Sequence, residues 1–238
     1  MSKAEMIKKK ALDRLFKMDE FIKRIRHASA GAINMGNIWC MDYAIANLPS
    51  DAPMVEIGSF CGLSANVMTY LKFKHKVKNA LFCIDPWDYN DGNEQEKLGE
   101  HPTLSKKQYS ELIQRRFKEN VLLFSGYDLP YAFQMASEEF FLQWRDQPTI
   151  TDIFDKEITL GGKISFAYID GNHDYEYVQS DFQNVDQNLE IGGFILFDDS
   201  ADNAGWGSCD LVKEICNDPR YKLIKQSPNY FFQKVQDD

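Results

Sequence analysis

Three aspartates stand where short apolar runs end. Asp170 follows ISFAYI (164–169), and Asp198 and Asp199 follow FILF (194–197). Runs of this kind predict buried strands, so the three carboxylates are expected to converge on one rim of a sheet. Carboxylates packed together repel and shift their pKa values unless a cation joins them. An all-oxygen set favours a hard ion, Mg²⁺ first, or else Mn²⁺ or Ca²⁺. The competing reading has Asp170 capping the following helix while Asp198 and Asp199 hold a loop. His173, three residues beyond Asp170, is carried by a helical turn toward the open side of such an ion. A neutral imidazole there can accept a proton, although a metal-activated hydroxyl can also do without a strong base.

A second constellation lies upstream in Val55-Glu56-Ile57-Gly58-Ser59-Phe60-Cys61-Gly62-Leu63-Ser64, where a strand passes through a glycine turn into a helix. Glycines in such a turn let backbone approach a nucleotide closely at the carboxyl edge of a sheet. The spacing Gly58-xxx-Gly62 is not the GxGxxG dinucleotide fingerprint. Asp85 ends the next apolar run, ALFCI, and an acid at that place can hydrogen-bond both ribose hydroxyls. Trp87 is close enough to Asp85 in the chain to stack on cofactor or substrate, and Trp206, in ADNAGWGSC, is a candidate for the acceptor side.

The elements that must position these residues follow from hydropathy. MVEI (54–57), ALFCI (80–84), VLLF (121–124), ISFAYI and FILF predict parallel strands, alternating with helical segments such as SANVMTYLKF, SKKQYSELIQRRFKE and YEYVQSDFQNVDQNL. YKLIKQ and NYFFQKV flank the turn signal SPN and predict a terminal antiparallel hairpin. The expected fold is α/β: a Rossmann-like, seven-stranded, mostly parallel sheet with helices on both faces. Residues 1–50 form a helical extension, comprising a basic amphipathic helix over 3–27, a loop over 28–37 and a short helix ending at Pro49. Residues 51–238 form the main domain, and its two long connections, 86–104 and 130–163, are expected to be lids.

These residues resemble the class I S-adenosylmethionine-dependent methyltransferases. VEIGSFCGLSA is similar to the first motif of their metal-dependent, catechol O-methyltransferase-like branch. YIDGNHDYEYVQSDFQNVDQNLEIGGFILFDDS resembles the same branch, and also the macrocin O-methyltransferase and cephalosporin-hydroxylase-like group. The resemblance covers about residues 52–200. It implies a cofactor pocket built by Glu56, Gly58, Ser59, Phe60, Gly62, Ser64 and Asp85, with Ser125, Gly126 and Tyr127 bordering the adenine; Trp87 and Asp170 are also counted as cofactor-binding. It also implies a divalent metal, Mg²⁺ by preference, on Asp170, Asp198 and Asp199, with Asp170 and His173 catalytic. The chain departs from the catechol-type enzymes in carrying histidine, not lysine, at position 173. The expected reaction is methyl transfer from S-adenosylmethionine to a metal-bound hydroxyl of a small molecule. Three rivals stand beside it: a metal-dependent hydroxylase, a nicotinamide-dependent oxidoreductase and a non-catalytic module.

Composition narrows the partners. Lys+Arg 27 against Asp+Glu 36 gives a formal charge of -9, which makes nucleic acid a poor expectation. The 44% hydrophobic and 26% charged content is that of an ordinary globular chain. Five scattered cysteines without a CxxC pair read as reduced thiols. No apolar run reaches the roughly 18 residues that span a membrane. A cytosolic chain acting on a small-molecule acceptor is therefore expected, free or as a homo-oligomer.

Overall fold

Apolar runs that do not alternate become strands buried on both sides. The structure is a computed structural model and describes residues 19–89 and 96–237. Its main sheet contains β1 (Met54–Ile57), β2 (Leu81–Ile84), β3 (Tyr131–Phe133), β6 (Ile164–Ile169), β7 (Leu189–Phe197), β8 (Tyr221–Gln226) and β9 (Tyr230–Lys234) in the order β3-β2-β1-β6-β7-β9-β8. Neighbours along β3-β2-β1-β6-β7 pair in parallel, and β9 returns antiparallel to β7 with β8 outside it. This is the Rossmann-like sheet expected, ending in the expected hairpin. A small pair, β4 (Thr149–Thr151) and β5 (Glu157–Thr159), stands apart.

Because side chains alternate across a strand, each run divides between two cores. Met54, Cys83, Phe166, Phe194 and Phe231 face α1 (Glu20–Ala28), α2 (Met35–Ala46), α3 (Leu63–His75) and α4 (Lys106–Ser125). Val55, Ile57, Phe82, Ile169, Phe197 and Phe232 face α5 (Ser137–Asp146), α6 (Tyr175–Asp186) and α7 (Gly207–Ile215). Ile38, Met41 and Ile45 of α2 are fully buried in the first core. At roughly 1.5–3 kcal/mol for each such side chain, α2 is bound firmly to the sheet.

Four expectations are corrected here. VLLF is not a strand but the last turn of α4. Val121 extends the i, i+4 stripe of Ile113 and Phe117 into the core, while Leu123 is 75% exposed. The helix has its own start signal, a capping box between Ser105 and Gln108. A short apolar run cannot be assigned by periodicity alone, and here the preceding helix decides it. The third parallel strand is instead Tyr131–Phe133, inside the segment expected to be a lid. Residues 130–163 also hold α5 and the β4–β5 pair. Phe140, Phe141 and Trp144 lie in the second core, so this segment is framework and not a cover. Finally, α2 begins within the expected loop, because Asn34 caps it by accepting from the Asn37 backbone N–H at 2.8 Å. Of the basic helix expected over 3–27, residues 20–27 lie in α1, and residues 3–18 fall outside the described residues, as do 90–95 of the acidic insertion.

Candidate active site

The carboxyl ends of β1, β2, β6 and β7 open into one cleft of about 1030 Å³. Gly58, Ser59 and Phe60 line it from β1, Asp85, Pro86 and Asp88 from β2, Asp170 and His173 from β6, and Asp198 and Asp199 from β7. Arg26 and residues 30–34 close it from the amino-terminal helices.

Gly58 has φ +84°, and a Cβ there would lie 2.0 Å from the Asp170 carbonyl oxygen. Only glycine lets the β1 and β6 turns touch. Asp85 then folds the turn back: one carboxylate oxygen accepts from the Ser59 and Phe60 N–H groups at 3.0 and 2.8 Å, and the other from Trp87 N–H at 2.7 Å. Burial raises the Asp85 pKa, and these three donors oppose the rise. Ser64 opens α3 at the cleft wall. Beneath the turn, Glu56 is fully buried and accepts from Ser59 Oγ at 2.8 Å; burial pushes its carboxyl up to about 7.

Several expected cofactor contacts sit elsewhere. Glu56 supports the turn from below and does not line the cleft. Gly62, at φ +80°, packs against Val121 and Phe117 of α4. Trp87 is 2% exposed; its indole N–H donates to the Phe60 carbonyl at 2.9 Å and its ring packs on Phe117, so it underpins the turn and cannot stack on a ligand in the cleft. Ser125, Gly126 and Tyr127 close α4 ahead of β3, and none of them lines the cleft. Ser125 bonds Asn66, and Tyr127 meets Phe73 edge-on at 5.9 Å. Their expected place by the adenine fell with the strand assigned to VLLF.

The acid wall is also less simple than three converging carboxylates. Asp170 and Asp198 stand within hydrogen-bonding reach of each other. Burial, followed by the Asp198 charge, drives the Asp170 pKa well above the carboxylate range. Asp199 turns to His173, with Oδ2 3.4 Å from Nε2. Among the described residues, no group of three or more His, Cys, Asp or Glu is arranged to hold a metal ion. Trp206, 47% exposed, lies over His173 with ring centroids 5.4 Å apart.

A family model of the methyltransferase domain matches residues 55–200, more than half of the chain. The chain belongs to this methyltransferase-domain family. Solved structures share the fold of the methyltransferase at low identity. An O-methyltransferase from Klebsiella pneumoniae, itself described as putative, is 10% identical, with a TM-score of 0.57 over 97% of both chains. An O-methyltransferase from Bacillus cereus in complex with SAH is 12% identical, with a TM-score of 0.53 over 97% of both chains. The O-methyltransferase TomG from Streptomyces achromogenes, involved in tomaymycin synthesis and solved with SAM, is 10% identical, with a TM-score of 0.51 over 94% of this chain and 86% of that one. A search of curated proteins found no match. Among the described residues of the methyltransferase, no helix is long and apolar enough to cross a membrane.

Sequence reading missed Asp181 on α6. It lines the cleft, is 4% exposed and accepts a hydrogen bond from Ser137 Oγ. Its only local signal is a charged residue on the apolar stripe of Val178, Phe182 and Val185. Burial pushes its carboxyl up to about 7, against 3.8 in the unfolded chain. Between those values the folded state keeps a proton that the unfolded chain has lost, so stability falls as pH rises through the interval, by on the order of 4 kcal/mol. Asp181→Asn is expected to flatten this decline, with a smaller drop in Tm from about pH 5 to about pH 8 than the wild type shows. Calorimetric scans at both pH values check it, and parallel declines would place the Asp181 pKa near its ordinary value.

Proposed function

We propose that the chain transfers a methyl group from S-adenosylmethionine to a hydroxyl of a small-molecule acceptor. The observation that carries the proposal is that one cleft joins the glycine turn and Asp85 to the wall formed by Asp170, Asp198 and His173. A nucleotide-binding edge and a proton-accepting edge thus face the same space. The O-methyltransferases of similar fold solved with SAH or SAM support the choice of donor.

In this reading Asp85 meets the ribose, and Gly58, Ser59, Phe60 and Ser64 shape the methionine end. Asp170 borders the methyl donor, and the acceptor lies toward His173 and Trp206. His173 takes the hydroxyl proton, the oxygen attacks the methyl carbon in line, and the carbon–sulfur bond breaks to leave SAH. Neutral products then replace a cationic donor and an anionic nucleophile, so exclusion of water from the cleft favours the step.

A divalent cation is the second part of the proposal. Two carboxyls that face each other on one wall of the cleft fit a hard ion, whose charge would offset their mutual repulsion. Asp170 and Asp198 would hold it, with Asp199 adjoining, and when bound it lowers the pKa of a coordinated hydroxyl. The setting proposed is the cytosol, where unpaired thiols stay reduced.

Calorimetry with SAH tests the cofactor. The wild type is expected to bind, and Asp85→Ala to lose about 1–3 kcal/mol of affinity. Asp85→Asn keeps an acceptor for the turn N–H groups and separates turn support from ribose recognition. Unchanged affinity in both variants would remove Asp85 from the site, and no binding by the wild type would overturn the cofactor assignment.

A further inference from the structure

Asp198 is approached from the two ends of the chain. Asn37, in the first turn of α2, donates its Nδ2–H to Asp198 Oδ1 at 2.6 Å, and Asn229, in the β8–β9 turn, donates its Nδ2–H to the same oxygen. Asn229 also donates to Asn37 Oδ1 at 3.2 Å, and its own Oδ1 accepts from the Ser200 backbone N–H at 3.1 Å. The two asparagines are 0% and 2% exposed. The helix and the turn are in direct contact, since a Cβ on Gly36 would lie 1.4 Å from the Ser227 carbonyl oxygen. Both asparagines fall outside the 55–200 span shared with the family.

Two buried amide donors on one carboxylate oxygen do more than satisfy it. They restrain the carboxylate's rotation, and Asp198 itself lines the cleft within hydrogen-bonding reach of Asp170. A carboxylate that binds a cation through one oxygen and is held by hydrogen bonds at the other is the usual arrangement around metal sites. We infer that Asn37 and Asn229 are positioning residues that hold Asp198 to receive a divalent cation beside Asp170, so that the amino-terminal helix and the carboxyl-terminal hairpin complete the cation site from outside the shared family region. The inference rests on the cation reading proposed above.

The test uses Mn²⁺ as the probe, with free ion counted by electron paramagnetic resonance, and SAH calorimetry alongside. Asn37→Ala and Asn229→Ala are expected to weaken Mn²⁺ binding about 10- to 100-fold while SAH affinity stays within about threefold. The double variant is expected to lose little more than the weaker single one, because both amides act on one oxygen. Asn79→Ala is the control for a merely structural role. Asn79 is equally buried and donates to the Ser50 and Ala52 carbonyls at 2.8 and 2.6 Å, beside the amino-terminal edge of the sheet. It is expected to lower Tm and leave Mn²⁺ affinity unchanged. Should an alanine variant not fold, Asn37→Ser and Asn229→Ser carry the same readout. Wild-type Mn²⁺ affinity in the variants, or an equal loss in Asn79→Ala, would overturn the inference. A wild type that binds SAH but not Mn²⁺ would overturn both the cation reading and this inference, leaving the cofactor assignment intact.

Discussion

Gly58→Ala is expected to abolish measurable SAH binding and to lower Tm by several degrees. The added Cβ would meet the Asp170 carbonyl oxygen at 2.0 Å, its carbonyl carbon at 2.5 Å and Gly171 Cα at 2.9 Å. All three are backbone atoms, so no flexible side chain can yield. The positive φ alone costs an alanine about 1–2 kcal/mol. Relief of the contact requires the β1 and β6 turns to part, and those turns carry Ser59 and Phe60 on one side and Asp170 on the other. The hydrogen bonds that carry the parallel ladder into these turns, Gly58 N–H to Ile84 O and Asp170 N–H to Ile57 O, both at 2.8 Å, would be strained with it. Gly99→Ala is the comparison, because Gly99 also has positive φ but faces open space. It is expected to lose about 1 kcal/mol or so and no SAH affinity. Wild-type SAH binding by Gly58→Ala would mean that the close approach of the two turns is not what shapes the cofactor side of the cleft.

His173→Gln is expected to lower methyl transfer by about 10²- to 10⁴-fold without a comparable loss of SAH affinity. His173 lies between Asp170 and Asp174, the N-cap of α6, and lines the cleft. Asp199 approaches Nε2 at 3.4 Å, and Asp199 is itself pinned, since its carbonyl accepts from Ser208 Oγ at 2.8 Å. A carboxylate beside an imidazole orients the ring and stabilises the charge that appears when it takes a proton. Glutamine keeps hydrogen-bonding capacity but cannot accept that proton. Single-turnover transfer of labelled methyl from S-adenosylmethionine to acceptors in a cell extract provides the readout. A decrease of less than about threefold would mean that another group, or the cation alone, activates the hydroxyl.

The parts of the candidate site that are legible in the sequence are those whose signal is local. Gly58 at the end of an apolar run, Asp85 at the end of the next, and Asp170, Asp198 and His173 after the later ones all follow from one rule: in an open parallel sheet, chain leaving a strand's carboxyl end faces the ligand side. The parts that were misplaced depend on what a residue packs against. Trp87 has the composition of a stacking residue, yet Phe60 O and Phe117 claim it for the core. Ser125, Gly126 and Tyr127 follow an apolar run that belongs to α4, so the assignment of that one element decides that its neighbours lie outside the cleft.

By itself, the sequence determined the sheet class, the terminal hairpin, the glycine turn after β1 and the acids at the strand ends. Each of these is encoded by residues adjacent in the chain, through hydropathy period, glycine and strand-end position. Only the tertiary structure decided that Val121 to Phe124 finish a helix, that residues 130–163 supply an edge strand, and that Asp199 turns to His173 while Asp198 is gripped by Asn37 and Asn229. Those outcomes depend on contacts between segments far apart in the chain, up to 192 positions for the asparagine pair. No local pattern marks a buried amide as the partner of a carboxylate on another element, because its identity is set by what closes over it when the chain folds.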